Sequence, residues 1–382
     1  MSLLLLHGRV LTPRLEMADA TVLIDGERIA WVRRGKVEVP GSTPLTETGD
    51  TVAPGFIDLQ VNGLAGRDTA AGAEAISAIS RVLPRFGVTG FLPTLISRPL
   101  DDAVAFVEAC ATAAAPGARV LGAHIEGPFL NPRYRGAHDP GFLLEPTAAR
   151  VRELLRRPPR FVTLAPELRG AIEAIRTLTA AGVIVSAGHS AASLAEAQAG
   201  IEAGVRFGTH LFNAMAPLHH REPGLPGALL ADDRVRFGLI ADGVHVDPSM
   251  LHLAIRVAGP ARVALTTDQT AAAGSPPGRY VIAGRENLSD GAAVRLEDGT
   301  LAGSAATMDQ LVRLIAGLPD VGLRQAVEMA SLTPARVLGM ERKFGAIRRG
   351  AMADIVVLDP AQNVRLTLVG GNVVFQRGQS RA

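Results

Sequence analysis

Lysine is nearly missing from this chain. Only Lys36 and Lys343 occur, both near the ends, and arginine supplies the remaining basic residues. A Schiff-base lysine, or a carboxylated lysine bridging two metals, would have to come from the middle of the chain, so both mechanisms are excluded. The one cysteine, Cys110, rules out an internal disulfide and a thiolate metal cluster. It lies in the Ala-rich, helix-like stretch from Val107 to Ala115 and reads as a small buried hydrophobe. No apolar run approaches the roughly 20 residues that cross a bilayer. The opening run Leu3 to Leu6 is too short for a secretory signal and lacks its basic flank, which leads us to expect a cytoplasmic protein. Formal net charge is only +2, and no basic block is interleaved with aromatics. Nucleic acid and membrane are therefore not expected partners. The pairs Arg33-Arg34, Arg156-Arg157 and Arg348-Arg349 read as solvated helix or turn ends.

What the chain does have is apolar material: 47% of 382 residues are hydrophobic and 20% charged, enough for a full barrel core and a satellite domain. Eight short apolar runs alternate with helix-forming stretches: 56–61, 88–95, 119–125, 161–165, 183–187, 205–209, 235–240 and 262–267. Intervening segments such as 73–86, 100–114, 147–155, 168–180 and 191–203 repeat apolar residues near period 3.6. Strand then helix, eight times over, predicts an α/β protein, a (β/α)8 TIM-like barrel with its useful loops at the strand C-termini. Both chain ends are instead strand-rich, with hairpin signals at Asp25-Gly26 and Gly370-Gly371. Residues 1–53 and 345–382 are expected to join as a small β-sandwich domain, leaving 54–344 as the barrel. A β-hairpin insertion is expected near 278–301, followed by closing helices at 311–318 and 325–332.

Four segments stand where such runs give way to Gly, Ser or Pro: His124-Ile125-Glu126-Gly127-Pro128, Gly188-His189-Ser190, Thr209-His210 and Thr266-Thr267-Asp268. A lone Glu at a strand end could cap a helix or pair with an arginine, and a lone core histidine is usually just hydrogen-bonded. Glu126, His189 and His210 together at matching strand ends favour one metal site. Asp268, ending the eighth run, is either a fourth ligand or a general base for a metal-bound water. His138 is either a turn residue or a group within reach of a carbonyl under attack. Arg221 by itself reads as a surface charge and His245 as a third imidazole ligand. In a barrel whose strand ends carry no lysine, however, a phosphate would have to be held by arginine, histidine and backbone N–H groups.

These segments, with Pro54-Gly55-Phe56-Ile57-Asp58, Leu211-Phe212-Asn213-Ala214-Met215, Arg221-Glu222-Pro223-Gly224, Ala241-Asp242-Gly243-Val244-His245 and Leu301-Ala302-Gly303-Ser304, run nearly end to end. As an ordered set they resemble the amidohydrolase superfamily, specifically its branch that deacetylates phosphorylated amino sugars. The resemblance implies Glu126, His189 and His210 as metal ligands. It implies Asp268 and His138 as catalytic, Asp268 moving the proton and His138 helping to polarise the acetamide carbonyl. It implies Ala137, Asn213, Ala214, Arg221, His245, Leu301, Ala302 and Gly303 as substrate-binding. It further implies a homodimer in which Arg221 reaches the neighbouring subunit's site. Most members of the superfamily end the first strand with His-x-His, whereas this chain has Gln60-Val61-Asn62, whose amides are poor zinc ligands. One divalent metal per subunit is therefore expected, Zn2+ first, with Fe2+, Co2+ or Mn2+ serviceable in the same ligand set. The competing expectations are another mononuclear amidohydrolase acting on a different amide, and a noncatalytic metal-stabilised binding protein.

Overall fold

The computed structural model describes residues 3–12, 15–282 and 284–378. Eight parallel strands form the barrel and are numbered here in chain order: β1 Phe56–Val61, β2 Val88–Ile96, β3 His124–Glu126, β4 Phe161–Leu164, β5 Ile184–Ala187, β6 Phe207–Gly208, β7 Arg236–Leu239 and β8 Val263–Leu265. Each pairs in parallel with the next. A parallel bridge from Val61 to Gln269, just past β8, brings the ends of the sheet nearly to closure. β1 is buried along its whole length, as a strand covered on both faces must be. The run expected as one strand over 119–125 is broken: Arg119–Val120 pairs with Gly90–Phe91, and β3 pairs further along β2. The break falls at Gly122, which takes φ +131° and where a Cβ would stand 2.4 Å from Cβ of Arg160.

The helices cover the barrel with the stripes their periodicity implies. Ala73–Val82 buries Ala75, Ile76 and Ile79. Leu194–Ala203 starts on a capping box made by Ser193 and Glu196. Inside the barrel, Ile57, Leu59, Leu92, Phe161, Phe207 and Ala264 pack with Leu338 into an apolar plug. A polar layer also lies in the interior. His124 Nδ1 donates to the Leu59 carbonyl at 3.0 Å, its Nε2 meets the Thr163 hydroxyl at 2.8 Å, and hydroxyl contacts run on through Thr209 to Ser186. Burial pushes the His124 pKa down to about 4, so this imidazole is neutral and structural.

The two chain ends share one continuous eight-stranded sheet, in which 355–358 pairs with 51–54, and 51–54 with 3–11. Leu6, Val10, Val22, Ile24, Ile355, Val357, Leu366 and Leu368 form its separate apolar cluster. Arg365 ties the ends together, 2.6 Å from the buried Asp50 carboxylate. The insertion after β8 is larger than the expected hairpin. It forms a four-stranded antiparallel sheet over 278–282, 285–289, 293–295 and 301–304, its later reversals at Gly291 and Gly299 in left-handed conformation. Ser304, in its last strand, bridges back to Gln269 and anchors the insert over the barrel mouth. Among the described residues no helix is long and apolar enough to cross a membrane.

Candidate active site and metal centre

The site grows from the C-terminal ends of β1, β3, β5, β6 and β8. Glu126 is the last residue of β3, while His189, His210 and Asp268 follow β5, β6 and β8 by two or three residues. These last three are non-glycine residues in the left-handed region, at φ 50°, 33° and 49°. Each such position costs on the order of 1 kcal/mol, and the surroundings must hold it in place. Here Asn131 N–H binds the His189 carbonyl at 3.0 Å and Ser304 N–H binds the Asp268 carbonyl at 2.9 Å. The turn breaks each strand's alternation and places its side chain at the pocket.

Three ligand atoms converge there. Glu126 Oε1 lies 3.2 Å from His189 Nε2 and 3.1 Å from His210 Nε2, and the two nitrogens are 3.1 Å apart. Ligands at about 2.1 Å from a tetrahedral zinc are separated by roughly 3.4 Å, so the three atoms lie near the spacing of one face of a coordination polyhedron. The protonation pattern agrees. His189 Nδ1 sits 2.9 Å from the Tyr134 carbonyl, which only accepts, so the proton is on Nδ1 and the Nε2 lone pair points at the centre. All three residues are buried. Burial opposes charge on Glu126, yet the imidazoles of His138, His189 and His210 hold its carboxyl well below the ordinary range.

Glu126, His138 and His189 also have ligand atoms within 4.8 Å of one another. The tautomer of His138 argues against it as a ligand. Backbone N–H of Ser97 donates to its Nδ1 at 3.1 Å, and Ser97 Oγ stands 2.8 Å away. Since Nδ1 must accept, the proton is on Nε2, which makes that atom a donor rather than a lone pair. It faces Glu126 Oε2 at 3.7 Å.

Asp268 stands at the floor of the pocket, deep among protein atoms but open on one side. Burial pushes its pKa up to about 8, helped by the charge of Glu126 and opposed by a hydrogen bond from Asn62. That bond, Asn62 Nδ2 to Asp268 Oδ1, is 2.7 Å, and its counterpart from Gln60 Nε2 to Glu126 Oε1 is 2.8 Å. Below them Asp58 is fully buried, and desolvation pushes it up to about 7 against hydrogen bonds from Thr267 and Gln60. The Thr267 hydroxyl donates to Asp58 at 2.6 Å and backbone N–H of Thr267 at 3.2 Å, which fixes the residue preceding Asp268.

A pocket of about 550 Å³ opens above the centre. It is lined by Glu126, His138, His189, His210 and Asp268, and also by Ala137, Asn213, Ala214, His245, Leu301, Ala302 and Gly303. His245 is oriented by Asp242, 2.7 Å from its Nδ1. Burial opposes charge on Asp242, but the His245 and backbone hydrogen bonds hold its carboxyl below the ordinary range. Arg221 is the exception: it is exposed on the loop before the helix Gly224–Ala231 and does not line the pocket of its own chain. Sequence reasoning overlooked Arg133, Arg135, Arg285 and Arg295, which also line the pocket. The Arg135 guanidinium binds the His138 carbonyl at 3.0 Å, and that of Arg285 binds the Ala137 carbonyl at 3.2 Å. It also overlooked Ser97 and the hydrogen-bonding use of Gln60 and Asn62. The i, i+2 spacing of two amides at a strand end was a usable signal, whereas the arginines and Ser97 carry none.

The chain belongs to the amidohydrolase family, whose model matches residues 51–374. Within that family it is similar over nearly its whole length to N-acetylglucosamine-6-phosphate deacetylases. The bovine enzyme of that name is 37% identical, with 98% of this chain and 99% of the relative aligned. An N-acetylgalactosamine-6-phosphate deacetylase of Escherichia coli O157:H7 is 38% identical over 85% of this chain and 88% of its own. A mutant of the Mycobacterium smegmatis N-acetyl-D-glucosamine-6-phosphate deacetylase, solved in complex with N-acetyl-D-glucosamine-6-phosphate, superposes with TM-score 0.92 at 34% identity, covering 98% of this chain and all of that one.

Proposed function

We propose that this protein hydrolyses the acetamide of N-acetylglucosamine 6-phosphate to glucosamine 6-phosphate and acetate, as a cytoplasmic enzyme of amino-sugar breakdown. The observation that carries the reading is the convergence of Glu126, His189 and His210 on one point beside Asp268. Arginines on the rim suit an anionic substrate, and the names of the aligned relatives supply its identity. In this reading Glu126, His189 and His210 hold one divalent metal, zinc by preference. A divalent cation held there supplies an acidified water and a counter-charge for the oxygen of the amide under attack.

The rest falls to this chain's own groups. His138 donates its Nε2 proton as a hydrogen bond to the acetamide carbonyl, and Ser97 keeps that proton on Nε2. Asp268, whose ionised form a cation at the centre would favour, removes a proton from the attacking water as the C–O bond forms, then delivers it to the sugar nitrogen as the C–N bond breaks. Water adds across the amide, and acetate and the amine leave. Asn213, Ala214, His245 and the Leu301–Gly303 segment hold the sugar phosphate, with Ala137 contributing its backbone. Arg221, remote from its own pocket, serves the site of a second copy in a homodimer.

The test is release of acetate from N-acetylglucosamine 6-phosphate, with and without chelator. The N-acetylgalactosamine isomer is run in parallel because of the Escherichia coli relative. Chelator-sensitive release supports the reading, and no release from either sugar overturns it. A metal that only stabilises a binding protein would leave Asp268 without a purpose.

A further inference from the structure

Gln60 and Asn62 leave the first strand on the same side, two residues apart, and each places an amide nitrogen on a different carboxylate of the centre. Against ionised carboxylates neither amide is free to turn over. Only the NH2 end can donate, and a flipped amide would set its carbonyl oxygen against a carboxylate. We infer that Gln60 and Asn62 are positioning residues. Gln60 fixes the Glu126 oxygen that faces the two imidazoles, and Asn62 ties down one oxygen of Asp268 so that the other is left for the attacking water. The inference rests on the proposed deacetylase reading and deepens it.

Three observations support it. Glu126 Oε1 is the atom that faces both His189 Nε2 and His210 Nε2, so the bond from Gln60 falls on the oxygen whose position sets the metal site. Asp268 receives a side-chain hydrogen bond at Oδ1 from Asn62, and Oδ2 receives none from the described residues, which makes its two oxygens unequal. Finally, Asn62 Oδ1 is buried without a partner among the described residues. A buried carbonyl left unsatisfied weakens the fold, so this side chain is poorly explained as a structural one. The pair also fits the single metal proposed for this centre. The faces of the two carboxylates turned toward β1 are occupied by neutral donors, where imidazoles would instead offer lone pairs to a second cation.

Two measurements on the metal-loaded full chain test the pair separately. For Asn62→Ala and the nearly isosteric Asn62→Leu, kcat is expected to fall about 10- to 100-fold while KM, zinc content and melting temperature stay near wild type. A kcat within twofold of wild type, or a loss matched by lost zinc, overturns the role assigned to Asn62. For Gln60→Ala, zinc affinity by chelator competition is expected to drop about 10- to 100-fold, and an unchanged affinity overturns the role assigned to Gln60. The zinc measurement needs no substrate. Should the wild-type protein release no acetate, the functional reading fails while Gln60 is still decided.

Discussion

His189 Nε2 and His210 Nε2 face each other at 3.1 Å, and the proton of His189 is held on the far side of its ring by the Tyr134 carbonyl. A cation shared by the two ring nitrogens and the Glu126 carboxylate oxygen would satisfy all three. Removing the metal should abolish turnover and also loosen the protein. At a free zinc concentration 1,000 times Kd, binding is worth about 4 kcal/mol, so the chelated protein should melt several degrees lower and recover on zinc addition. A melting temperature indifferent to chelator and zinc would count against this centre.

Asp268→Asn keeps shape and size but cannot take a proton. Zinc content and substrate binding should persist while kcat falls about 100- to 10,000-fold, the range for loss of a general base. Single-turnover acetate release measures this directly, and near-normal kcat would remove Asp268 from the proton path.

Asp58 gives a pH signature in stability rather than rate. Burial raises its folded pKa to about 7, above the roughly 3.9 of an unfolded Asp. Between those values the folded state holds a proton that the unfolded state has lost. This group's contribution is therefore fully present below about pH 4 and is lost as pH rises toward 7. Relative to Asp58→Asn, the wild type should lose stability across that window and level off above it. Urea melts of both proteins from pH 4 to 8 read the slope, and parallel curves would refute the assignment.

Arg221 is exposed and away from its own pocket, so its proposed role needs a second copy. Arg221→Ala should raise KM for the phosphorylated sugar at least about tenfold, as loss of a charge-assisted contact does, and leave the unphosphorylated sugar little affected. The decisive measurement mixes Arg221→Ala with Asp268→Asn subunits. If the arginine acts across the interface, mixed dimers regain one working site, whereas an arginine acting within its own chain regains nothing.

Cys110 packs in the core cluster with its thiol pushed up to about 12 by burial. It should resist neutral thiol reagents in the native protein and react in full once urea unfolds it.

Much of this was legible in the chain because a parallel barrel writes itself locally. Buried strands read as short apolar runs and covering helices as period-3.6 stripes. The candidate site residues stand where the runs stop, which is how Glu126, His189, His210 and Asp268 stand out in the sequence. Local logic failed in two places: the strand expected over 119–125 breaks at Gly122, against which Arg160 packs closely, and the insert after β8 adds strands beyond a hairpin. The sequence by itself determined the fold class and put the proposed ligands at strand ends, since both depend on residue type and spacing along one strand. Only the tertiary structure decided which imidazole nitrogen carries its proton and which carboxylate each amide holds. It also decided which arginines ring the pocket. Those depend on contacts between residues far apart in the chain, such as Asn62 and Asp268, 206 positions from each other, and no local pattern encodes such a distance.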